Sequence, residues 1–194
     1  MTHDGSGKGS ILATSAKLFG EKGYKGVSIR DIAQACGLTN AALYYHFKNK
    51  DDLYLAVLQD AHERAVATLD EAARSGGSVR SRLKQLVDRY FEVMLAQRQS
   101  FQMLWRDLKN VDDVRASKLY ADMRAGFMRP IRETIEAAQA KGEMVGGDAQ
   151  LYARLLHGMM IALTFEGRQN SKARVTSDQV DALVKVFLEG VGKK

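Results

Sequence analysis

Leu38-Thr39-Asn40-Ala41-Ala42-Leu43-Tyr44-Tyr45-His46-Phe47-Lys48-Asn49-Lys50 is the stretch whose reading decides the fold. Thr39 is a good helix N-cap, because its hydroxyl can accept from an otherwise orphaned backbone N–H of the first turn. Leu43 and Phe47, four residues apart, fall on one face and predict an inward stripe. Asn40, Ala41, Tyr44, Tyr45 and His46 are left to face solvent. Upstream, Ser28 caps a second short helix, with Asp31 at its third position forming a compact capping box. That helix buries Ile29, Ile32, Ala33 and Cys36, and Gly37 supplies the left-handed residue that ends it and turns the chain. Two short capped helices meeting at a glycine, the second ending in aromatics, a histidine and lysines, are what a DNA-reading helix-turn-helix requires.

Charge sits where that reading needs it. The 194 residues carry a net charge of +6, and residues 1–50 hold seven Lys/Arg against three Asp/Glu. The other 144 residues hold 22 against 20, so positive charge concentrates around the turn, as a phosphate-facing surface demands. The single cysteine, Cys36, excludes an internal disulfide framework and reads as a small core residue. No run approaches the ~18 apolar residues of a membrane span, and residues 1–10 are polar and glycine-rich without a signal core. A cytoplasmic protein is the expectation.

Helical periodicity continues to the end of the chain, and no alternating run argues for a sheet. Helices are expected over Ser10–Glu21, Ser28–Cys36, from Thr39, from Asn49 to about Ala73, over Val79–Gln97, Ser100–Lys109, Asp113–Lys141, Leu151–Phe165 and Ser177–Val191. Asn49 caps the fourth, with Asp51 and Asp52 in its positive first turn. The seventh is expected to be interrupted near Gly126 and Pro130, where a backbone N–H is missing. The fold class is thus all-α, about nine helices, with a three-helix helix-turn-helix domain (9–57) and a larger helical domain (58–194). The last two helices carry Leu151, Leu155, Met159 and Leu163, and Val180, Leu183, Val184 and Phe187. Paired with their copies they make a four-helix dimer interface; alternatively they close the chain's own core.

In the groove, the first turn of the third helix enters foremost. Asn40 can pair bidentately with adenine, and small Ala41 and Ala42 permit close approach and can touch thymine methyls. Tyr44 and His46 can donate to phosphate oxygens, Lys48 and Lys50 add charge, and Arg30 can reach a base edge or the backbone. Ser28 and Thr39 offer hydroxyls at helix N-termini, which bind phosphate well.

These residues resemble the DNA-binding domain of the tetracycline-repressor (TetR) family of bacterial regulators. The matching pieces are Ala16-Lys17-Leu18-Phe19 with Gly23-Tyr24, Val27-Ser28-Ile29-Arg30-Asp31-Ile32-Ala33, Gly37-Leu38, and Leu43-Tyr44-Tyr45-His46-Phe47 followed by Lys50. The resemblance implies a symmetric dimer on double-stranded DNA at a palindromic operator, with repression relieved by a small molecule. It places Arg30, Asn40, Ala42, Tyr44, Tyr45, His46 and Lys50 at DNA-contacting positions. Ala41 and Ala42 lack polar groups that some relatives carry there, which shifts base reading towards Asn40, Arg30 and Tyr45. The family binds its effector among the middle helices, where the candidates are Tyr90, Met94, Phe101, Trp105, Tyr120, Met123, Phe127, His157, Met160 and Phe165. Methionine and aromatic side chains suit a mainly hydrophobic or aromatic effector.

The rivals are an enzyme and a helical module that binds only protein. Histidines at 3, 46, 62 and 157 form no metal-ligand pair, and neither a GxSxG elbow nor a glycine-rich phosphate loop occurs, so no catalytic, metal or cofactor site is expected. A protein-only module gives no reason for Asn40, His46, Lys48 and Lys50 beside a capped turn.

Overall fold

A computed structural model describes residues 7–96, 114–169 and 175–191. Among them the chain forms eight helices and no strand: α1 Lys8–Lys22, α2 Ile29–Ala35, α3 Asn40–His46, α4 Lys50–Ala73, α5 Val79–Ala96, α6 Val114–Ala140, α7 Ala149–Gln169 and α8 Ser177–Val191. The expected helix over Ser100–Lys109 lies outside the described residues.

The chain divides into two units, whose described parts are residues 7–64 with 114–123, and residues 65–96 with 124–169 and 175–191. In the first, α1 passes through Gly20 and ends at Gly23, whose positive φ of 73° only glycine takes without strain. Ile11, Leu12 and Phe19 of α1, Ile32 and Ala33 of α2, Leu43 of α3, Phe47, and Leu53, Tyr54, Val57 and Leu58 of α4 form one buried core. Phe19, Tyr24 and Tyr54 lock it with ring contacts of 4.9–6.2 Å, edge-on for both Tyr54 pairs. This core fixes the directions in which α2 and α3 present their outer faces.

In the second unit α5 packs on α8, and α7 packs on α8. Leu83, Leu86, Val87 and Tyr90 of α5 are buried, and so are Arg82 and Val93. Arg82 is held by Glu143 at 2.5 Å and donates to the Gly77 carbonyl at 3.3 Å. Lys84 ties α5 to α8 through Ser177 and Asp181, each at 3.1 Å. The interruption expected near Gly126 and Pro130 is absent: α6 runs unbroken through both. One turn on, Thr134 donates its hydroxyl to the Pro130 carbonyl at 2.8 Å, a back-bond within the helix.

Candidate nucleic-acid interface

The turn is built by the caps that the sequence announces. Ser28 and Asp31 form a reciprocal capping box: the Asp31 N–H donates to Ser28 Oγ at 3.1 Å, while the Ser28 N–H and hydroxyl donate to Asp31 Oδ2 at 2.8 and 2.7 Å. Those bonds to its ionised form hold the Asp31 carboxyl below the usual range. Gly37 takes φ 68°, and the Leu38 N–H returns to the Ala33 carbonyl at 2.8 Å. Thr39 Oγ1 accepts from the Ala42 N–H at 3.1 Å and starts α3; Asn49 Oδ1 accepts from the Asp52 N–H at 2.8 Å and starts α4.

With α3 so placed, Leu43 and Phe47 are buried, and Asn40, Ala41, Tyr44 and Tyr45 are exposed. Tyr45 is 87% exposed and Tyr44 52%. Ala42 and His46 are half-buried, His46 with its ring edge-on to Tyr45 at 5.3 Å. Ser28, Arg30, Thr39 and Lys48 are exposed on the same two helices and their ends. The structure therefore exposes Ser28, Arg30, Thr39, Asn40, Ala41, Tyr44, Tyr45 and Lys48 and leaves Ala42 and His46 half-buried.

Lys50 behaves differently from a free surface lysine. Its ammonium lies 4.1 Å from the centroid of the Tyr24 ring, and burial lowers its pKa against the opposing pull of Asp51 and Asp31. The Tyr24 hydroxyl donates to Asp51, so one side chain holds both residues at the start of α4. Burial and that carboxylate push the Tyr24 hydroxyl pKa upwards. Tyr24 lies outside the expected DNA-contacting set; it stands 26 residues from Lys50, beyond any periodicity. Lys8 likewise lies 5.9 Å over the Phe47 ring, a cation at the start of α1 beside the end of α3.

Of the expected effector residues, Tyr90, Phe127 and His157 come together. Tyr90 Oη is 3.4 Å from His157 Nε2, and the Tyr90 ring stands edge-on to those of His157 and Phe127 at 5.6 and 6.2 Å. Burial pushes the Tyr90 hydroxyl up to about 12, and burial with the nearby Arg124 charge pushes His157 down. Met160 is fully buried and Met94 half-buried in the same unit. Met123 is a correction: it packs into the core built from α1–α4, because its place on α6 falls in the first unit. Phe101 and Trp105, and the side chains of Tyr120 and Phe165, lie outside the described residues.

The expected dimer face also divides. Leu151 and Leu155 are 42% and 52% exposed, Met159 and Leu163 are half-buried, and Gly158 and Ala162 lie exposed between them. On α8, Val180, Leu183, Val184 and Phe187 are buried in the chain's own core, which corrects their assignment as interface residues. The apolar stripe of α8 is used up by α5 and α7; its outer face shows Ala182 and Val186, the latter 59% exposed. Among the described residues no helix is long and apolar enough to cross a membrane.

A capped helix pair around a positive-φ glycine, with an exposed polar and aromatic second helix, defines a helix-turn-helix protein. Residues 11–57 match the family described as bacterial regulatory proteins of the tetR family, and residues 76–165 match the tetracyclin repressor-like C-terminal domain. The chain belongs to the TetR family of transcriptional regulators, which are DNA-binding regulators and not enzymes. It is 29% identical over 100 residues to the HTH-type transcriptional activator FasR of Mycolicibacterium smegmatis, covering 52% of this chain and 46% of that one. It is 29% identical over 112 residues to the HTH-type transcriptional repressor KstR2 of Rhodococcus jostii, covering 56% and 55%. The chain thus spans about half the length of the curated relatives it matches. A TetR-family regulator from Mesorhizobium loti, 19% identical, shares the fold over 100% of both chains with a TM-score of 0.85.

Proposed function

We propose that the protein is a ligand-responsive repressor that binds a palindromic operator as a homodimer and is released by a small, mainly hydrophobic effector. The observation that carries the DNA-binding part is the outer face of α3: Asn40, Ala41, Tyr44 and Tyr45 face solvent while Leu43 and Phe47 hold the helix to its core. Residues 9–57 act as the reader, and residues 58–194 bind effector and form the dimer. Asn40, Arg30 and Tyr45 read bases. Ser28, Thr39, Tyr44, His46, Lys48 and Lys50 engage phosphates, and Ala41 and Ala42 allow close approach.

Leu151 and Leu155, exposed on α7 beside half-buried Met159 and Leu163, and Val186, exposed on α8, support the α7–α8 face as the meeting place of two copies. The effector lodges beside Tyr90, Phe127 and His157, whose hydroxyl and imidazole can orient a polar group on an otherwise apolar molecule. Two reader helices must stand about 34–36 Å apart to enter successive major grooves. An effector that binds better to a differently spaced dimer lowers DNA affinity by its differential affinity for the two states.

The test is footprinting of the DNA upstream of the protein's own gene. The proposal expects protection of two inverted half-sites about one helical turn apart, abolished by Tyr45→Ala. Uniform protection without half-sites, or a footprint indifferent to Tyr45→Ala, overturns it.

A further inference from the structure

A cleft lies in the unit that carries α5 and α8, formed by the end of α4, the start of α5 and the last turns of α6. Its volume is about 240 Å³, and Asp70, Ala73, Arg74, Ser75, Arg82, Glu133, Thr134, Ala137 and Lys141 line it. At a share of about 30 Å³ per water in the liquid, it has room for about eight water-sized groups. None of the residues expected to bind the effector lines it, so it is separate from the Tyr90–His157 cluster.

The charges of this cleft are unevenly satisfied. Asp70 is taken by Arg129 at 2.7 Å, and Glu133 faces the same guanidinium at 3.6 Å. Arg82 is 5% exposed and spends its terminal nitrogens on Glu143 and the Gly77 carbonyl, which leaves its buried Nε without a partner. The Ser75 hydroxyl is also buried and unpartnered. Arg74 and Lys141, both exposed at the cleft, make no ion pair among the described residues. Buried donors left over beside two uncommitted cations call for an acceptor-rich guest, because an unmet buried donor costs about 1–3 kcal/mol.

We propose that this cleft is a binding site for a small phosphate-type oxyanion, free or as the head group of a compact metabolite. Two uncommitted cations match a divalent anion, and the guanidinium and ammonium donors match its oxygens through charge-assisted bonds. Thr134, whose proton is committed to the Pro130 carbonyl, adds a wall. A guest larger than phosphate fits, since phosphate alone leaves part of the volume unfilled.

Calorimetric titration of the full chain with inorganic phosphate and with glycerol phosphate, at ionic strength matched with chloride, tests this. One saturable site per chain is expected, weakened at least ~10-fold in an Arg74→Ala/Lys141→Ala double variant, as the loss of a charge-assisted contact implies. Both side chains are exposed, so the variant keeps its fold. Arg82→Lys, which keeps the charge but removes Nε, should weaken binding as well. Tighter binding of inorganic phosphate assigns the free ion; tighter binding of the ester assigns a metabolite head group. Absence of saturable heat with both probes at millimolar concentration, or equal affinity in the double variant, overturns the proposal. Neither result bears on operator binding, which is read by footprinting.

Discussion

Leu155→Glu separates a surface that meets a partner from a surface that merely tolerates apolar side chains. Fully burying a leucine side chain contributes about 1.5–3 kcal/mol. Leu155 is still 52% exposed in the single chain, so covering the remainder is worth roughly 1 kcal/mol per copy. A twofold interface uses the residue twice, which doubles the loss to about 2 kcal/mol. A carboxylate put in its place must also be desolvated without a partner, a penalty of several kcal/mol when burial is complete. Even a fraction of that brings the total above ~3 kcal/mol, a dissociation constant more than ~100-fold weaker. Sedimentation velocity over a concentration series measures it, with circular dichroism to show that the helices persist. The matched control is Leu183→Ala: that side chain is 5% exposed, so its loss should cost about 2–5 kcal/mol of folding stability. A Leu155→Glu protein that dimerises as tightly as the parent would refute the assignment of this face.

Three further outcomes follow from the reader and from the buried histidines. Tyr24→Phe keeps the ring under Lys50 but removes the bond to Asp51, so stability should fall by about 1 kcal/mol with little change in DNA affinity; Tyr24→Ala should lower both, as chemical denaturation and a DNA titration will report. Ser28→Ala removes the α2 cap and should cost about 1 kcal/mol. Because the Asp31 pKa is depressed in the folded chain, the cap's ionic part is present above the ordinary carboxylate range and fades as pH falls through the lowered value. Thermal melts of parent and Ser28→Ala should therefore converge in acid. His62 and His157 both have lowered pKa values, through burial first, with Arg124 adding to the effect on His157 and Glu63 and Asp122 opposing it on His62. Their stabilisation is full above the unfolded value of 6.5 and is lost as pH falls through the folded values. His62→Gln or His157→Gln should flatten the stability profile below neutrality, and an unchanged slope in both would contradict the sign.

The reader was legible because its signals are local. Caps at Ser28, Thr39 and Asn49 and the turn at Gly37 each declare themselves within four residues, and the buried pair Leu43 and Phe47 follows from helical spacing alone. What the sequence concealed depends on which of two apolar faces a helix spends inside. On α8 the richer stripe, Val180 to Phe187, went to the chain's own core, leaving the modest pair Ala182 and Val186 outside. Met123 was misplaced for a related reason, since a long helix such as α6 serves one unit with its first turns and the other with the rest. Contacts such as Lys50 on Tyr24, or Arg82 with Glu143, join residues that no period relates.

The central claim is that the α3 end and the start of α4 grip DNA phosphates while Asn40 and Tyr45 read bases. The most direct measurement is the slope of log affinity against log salt concentration on the upstream DNA, for the parent, Lys48→Ala, Lys50→Ala and Tyr45→Ala. Each lysine that neutralises a phosphate should remove about one unit of slope, and Tyr45→Ala should lose sequence preference with the slope retained. Slopes unchanged in both lysine variants, together with undiminished preference in Tyr45→Ala, would contradict the account.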